Sequence, residues 1–122
     1  ELSARFRELA VLRVSYRKQA AYEWGQHVRA ALEAGITEAE VDRIPLGAAG
    51  FEGHDAAVVA ATDELLDDGH LGDERWAELV GFLDEHQAFE LLFAVGTYSL
   101  LAMVFGTWGL VPEPDMPELP PL

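Results

Sequence analysis

The chain has 122 residues, half of them hydrophobic, with ordinary glycine and proline content, which is enough for one globular domain with a real core. It contains no cysteine, which excludes disulfides, thiolate ligands and thiol redox chemistry within these residues. Its 22 acidic and 8 basic side chains leave a net charge of −14, so nucleic acid and anionic membrane surfaces are not expected as partners.

Strand signals are nearly absent and helical periodicity recurs throughout, so an all-α fold of about five to six helices is expected. In the first segment, Leu2, Phe6, Leu9, Leu12 and Tyr16 share one face, with Glu8 at its edge and Arg5 and Arg13 inside it. A guanidinium in an apolar stripe needs a carboxylate, from the protein or from a ligand. A second helix is expected over Lys18 to Ala34, closed by Gly35. Its stripe is Ala21, Trp24, Val28 and Ala31, and Glu23 and His27 fall beside it among small alanines. Four residues is one turn, so those two groups should be neighbours, as a working pair or as a solvated contact.

Thr37 and Glu40 form a capping box for a short third helix that Pro45 ends. "LGAAGFEGH" lacks the Gly-Lys-Ser/Thr ending of a phosphate loop and reads as a plain connector. Asp55 is expected to cap a fourth helix closed by Gly69, and Asp73 to open a fifth carrying Trp76, Leu79, Val80 and Leu83. His54, His70 and His86 are expected in solvent, and Trp24, Trp76 and Trp108 in the core or an interface. Residues 91–112 carry no charge and are long enough to span a bilayer, but no Lys or Arg flanks them and three glycines interrupt them. The expectation is therefore a buried core or subunit-interface helix, with no membrane. Residues 112–122 form a proline-rich tail beyond a helical domain of residues 1–111, lying along the surface or a neighbour.

"RELAVLRVS" followed by "AYEWGQHVRAALEAGIT", with "ELLFAVGTYSLLAMVF" later, resembles the carboxymuconolactone decarboxylase family. That family shares its helical-bundle fold with the AhpD-like alkylhydroperoxidases. The AhpD-like redox pattern is Glu, eleven residues, Cys, two residues, Cys, three residues, His. Its Glu falls on Glu8 and its His on His27, while the two cysteine positions fall on Ala20 and Glu23. The spacing survives and both sulfurs are gone, so the thiol peroxidase activity of AhpD-like relatives is not expected here.

What the resemblance leaves is an acid/base set of His27, Glu23 and Glu8, with Tyr22 and Arg13 as substrate-binding candidates. The implied activity is cofactor-free decarboxylation or isomerisation of a small carboxylated or lactone substrate. His27 would donate the proton, Glu23 would orient it, and Glu8 would be a second acid/base group. Arg13 would hold a substrate carboxylate, unless it simply pairs with Glu8. No second paired-ligand motif accompanies Glu23 and His27, so neither metal nor cofactor is expected. The rival reading is a non-catalytic oligomeric helical protein of the same fold. The resemblance also implies a homotrimer or homohexamer, and the absence of a signal-peptide pattern a cytoplasmic location.

Overall fold

The computed structural model describes all of residues 1–122 and is all-α, with no strand. Six helices run in order: α1 (Ala4–Arg17), α2 (Ala21–Glu33), α3 (Glu38–Arg43), α4 (Gly53–Asp68), α5 (Asp73–Val80) and α6 (Glu85–Trp108). A 3-10 stretch, Ile44–Gly50, joins α3 to α4, where a plain loop was expected.

Local chemistry accounts for most of the ends. Ser3 Oγ accepts from the Phe6 amide at 3.2 Å to start α1. The Thr37–Glu40 capping box forms as expected, and Asp84 and Gln87 make a second one at the start of α6. Two boundaries differ from expectation. The second helix begins at Ala21 rather than Lys18, because Gln19 takes a left-handed φ of 52° and separates α1 from α2. The Gln19 side chain compensates by donating to the Tyr16 carbonyl at 2.8 Å. Glu52 occupies the cap position of α4, while the Asp55 carboxylate is drawn to Arg5 at 2.8 Å.

Helix α1, not the long last helix, is the central element. Eight of its fourteen residues are buried, and it packs against α2, α4 and α6. Its two arginines inside the apolar stripe find carboxylates in the protein. Arg5 binds Asp55 and Glu40, tying α1 to α4 and to the cap of α3. Arg13 donates to both carboxylate oxygens of Asp63, at 2.7 and 3.2 Å, and to the Ile44 carbonyl at 2.9 Å. Gly47 passes directly over that pair with a φ of 68°, and a Cβ there would lie 3.2 Å from the Arg13 guanidinium.

Helix α6 is not a buried core helix within this chain: only Ala88, Leu91 and Val95 are buried in its 24 residues. The helix lies at the edge of the bundle and offers it one face, leaving Phe93, Leu100 and Met103 largely exposed. Trp24 is a core residue, whereas Trp108 is 78% exposed and belongs to no core. The proline-rich tail folds back onto its own chain. Met116 is buried against Gly25, and the Tyr16 hydroxyl donates to the Pro121 carbonyl at 3.3 Å.

Candidate active site

The contact between α1 and α2 brings Glu8 and His27 together. Nδ1 of His27 lies 2.6 Å from Oε1 of Glu8, which is only 2% exposed. Arg7 donates to the other oxygen, Oε2, at 3.0 Å. Burial pushes the Glu8 carboxyl upward, but the hydrogen bonds from His27 and Arg7 outweigh it and hold the pKa below its usual value. Glu8 is therefore a carboxylate at neutral pH, and the hydrogen on His27 belongs on Nδ1, donating to it. That leaves Nε2 as the nitrogen free to exchange a proton.

The orienting partner of His27 is thus Glu8, from the other helix, and not Glu23, one turn away on its own. The physical reason is that Glu23 turns into the core, where Oε1 meets Ser15 Oγ at 3.2 Å. Glu23 is 3% exposed and its Oε2 has no hydrogen-bond partner. Burial raises its pKa to about 7, against the hydrogen bond from Ser15 and the charge of His27, which pull it down. A carboxyl poised near neutrality can give or take a proton at working pH. Ser15 itself donates to the Val11 carbonyl at 2.8 Å, so its single proton is shared between that carbonyl and Glu23.

Two members of this group carried no recognisable motif. Tyr98 of α6 sets its ring edge-on to His27, with centroids 4.8 Å apart. Desolvation and the nearby Glu8 charge raise the pKa of its phenol, so it remains a hydrogen-bond donor at neutral pH. Its one sequence signal is that it is the only tyrosine in the uncharged stretch 91–112. Ser15 gave none, being one small polar residue in an apolar helix.

A cavity of about 190 Å³ lies beside Glu23, between the α1–α2 turn, α6 and the start of the tail. Tyr22 lines it with Glu23 and packs edge-on to Phe105, at a centroid distance of 5.6 Å. Glu8, His27 and Tyr98 do not line this cavity. A wider apolar groove of about 590 Å³ runs between α4, α5 and α6, lined by residues such as Leu66, Trp76 and Phe89, and none of the acid/base groups reaches it. Arg13 lines neither space, and its guanidinium is occupied by Asp63 and Ile44, not by Glu8. No three His, Asp or Glu side chains are disposed to hold a metal ion.

Fold and site together define an all-α protein with a half-buried histidine on a buried carboxylate and a second, near-neutral carboxyl at the contact of its first two helices. The carboxymuconolactone decarboxylase family matches over residues 1–65, just over half of the chain and the part that contains all of Glu8, Ser15, Glu23 and His27. The chain belongs to that family. Neither the curated proteins nor the solved structures yield a match.

Proposed function

We propose that the protein performs cofactor-free acid/base chemistry, decarboxylation or isomerisation, on a small carboxylated or lactone substrate. The observation that carries this reading is the 2.6 Å hydrogen bond between half-buried His27 and buried Glu8, with a second buried carboxyl one helical turn from His27. Loss of CO₂ from a lactone acid leaves an enolate-like carbanion that must be stabilised and then protonated at carbon. His27 Nε2 delivers that proton. Glu8 fixes the ring's tautomer and orientation. Glu23, held near half-ionised, exchanges the second proton that an isomerisation requires, and the Tyr98 phenol donates to the developing oxyanion. Tyr22 forms part of the binding wall.

The rival reading, a helical protein that kept the fold without the chemistry, draws on one observation: the cavity at Glu23 does not extend to His27. The two are separated by assaying carboxylated γ-lactones for CO₂ release and for loss of the substrate's own absorbance. Turnover by the wild-type protein that falls by ~10²-fold or more in His27→Asn, with melting temperature unchanged, supports the acid/base role. No turnover of any such lactone, or full activity in His27→Asn, overturns it.

A further inference from the structure

Seven of the eight basic side chains are arginines, and each is engaged. Arg5, Arg7, Arg13, Arg17, Arg29 and Arg75 pair with carboxylates. Arg43 donates to the Gly50 carbonyl at 2.9 Å and lies over the Phe51 ring. The remaining one is Lys18, the only lysine of the chain, whose ammonium makes no ion pair and no hydrogen bond although 22 acidic residues are available. It is exposed and lines the cavity beside Glu23.

The rest of that lining restricts what can enter. Besides Lys18, its only ionisable groups are Tyr22 and Glu23, and Ala102, Phe105 and Val111 make much of the remainder apolar. Glu23 brings a buried carboxyl oxygen that the protein leaves without a partner. At about 190 Å³ the space is smaller than the ~300 Å³ at which pockets for drug-sized ligands begin. On a surface of net charge −14, an anionic ligand is repelled everywhere that no local cation offsets the field. The one unpaired cation stands where an anion would have to enter.

We propose that Lys18 is the group that recognises the ligand's carboxylate, so that the cavity selects a small monocarboxylate whose less polar end lies against Tyr22, Phe105 and Glu23. For the chemistry after binding this rests on the acid/base reading, and it moves the carboxylate anchor from Arg13 to Lys18. Lys18 also closes the C-terminus of α1, where a cation favours the helix dipole. That role would show in stability and would be blind to the charge of a ligand.

The test uses two ring compounds of nearly the same shape, 2-furoate and its uncharged amide, titrated into ¹⁵N-labelled full chain and followed by amide shifts. Furoate is expected to perturb Tyr22, Glu23 and Phe105 saturably and to bind at least ~10-fold more tightly than the amide, a discrimination worth about 1.4 kcal/mol. Lys18→Gln should reduce furoate to the level of the amide while the chain stays folded, and Lys18→Arg should retain most of the preference. Equal binding of the two compounds, absence of saturable furoate binding, or furoate affinity unchanged in Lys18→Gln each overturns the proposal. Amide shifts report furoate binding without any turnover, so loss of the Lys18-dependent preference sinks this proposal alone, whereas an intact preference with no lactone turnover sinks the acid/base reading alone.

Discussion

At the scale of single residues, Glu23 and Glu8 are two buried carboxyls with opposite electrostatic fates, and stability should report both. The folded pKa of Glu23 is raised by burial from 4.5 to about 7, so between those values the folded state holds a proton that the unfolded chain has lost. Its contribution is favourable in acid and is lost as pH rises through about 7. Gln imitates the protonated form, so Glu23→Gln should melt close to wild type at pH 5 and clearly above it at pH 8. Glu8 runs the other way. Its folded pKa is depressed by His27 and Arg7, so its contribution is present above the ordinary carboxylate range and lost as pH falls through the folded value. Glu8→Gln should therefore lower the melting temperature at neutral pH and lose that effect in acid. Differences between variant and wild type that stay constant from pH 3 to 9 would contradict both assignments.

Among the elements, α1 is held to α4 by two arginines one turn apart that share Asp63. Arg13 binds both of its oxygens, and Arg17 reaches Oδ1 at 3.4 Å and Asp67 at 2.6 Å. The Arg13 side chain is only 12% exposed, so removing its carboxylate strands a charge that solvent cannot recover. Asp63→Ala should cost ~2–3 kcal/mol in denaturant unfolding. Asp115→Ala, which breaks an exposed pair between Arg29 and the tail, should cost less than ~0.5 kcal/mol. Equal costs for the two would mean that the α1–α4 ion pairs do not secure the bundle. Gly25 is a second close approach, since a Cβ there would stand 3.0 Å from that of Met116 and push the tail off α2.

For the whole molecule, the open question is what covers α6. Phe89, Phe93, Leu100 and Met103 recur at helical spacing along its outer side and are between 46% and 73% exposed. An 18-residue window of this helix has a mean hydropathy of 1.8 with 22% of its residues buried, so by length and composition alone it could cross a membrane. A Cβ at Gly96 or Gly106 would meet nothing within the chain, which leaves both free to admit a close neighbour. We propose that this side meets other copies of the chain in a closed homotrimer or homohexamer, with the apolar stripe at the interface. The tail lies along its own α1 and α2, through Tyr16, Gln19 and the contact of Met116 with Gly25. Light scattering should return one of those masses, and the double substitution Phe93→Glu with Leu100→Glu should give a folded monomer. A wild-type chain that stays monomeric and soluble at every concentration would overturn the assembly.

What the sequence determined by itself is local or compositional. Helical periodicity, the Thr37–Glu40 box and the closing glycines Gly35 and Gly69 depend on residues within about four positions of one another, which is the reach of helical hydrogen bonds. The resemblance also brought Glu8 into the candidate set with His27, as a second acid/base group and not as its partner. Only the tertiary structure decided which carboxylate His27 would meet. Glu23 is its neighbour by helix geometry, yet that side chain enters the core beside Ser15 while Glu8 arrives from α1. The same holds for Arg13, paired with an aspartate 50 positions away, and for the exchange of roles between α1 and α6. The last helix is the more hydrophobic of the two, but burial depends on how many neighbours surround an element. Helix α1 is enclosed by extensive contacts with α2, α4 and α6, whereas α6 packs mainly on α1 and only lightly on α4 and α5.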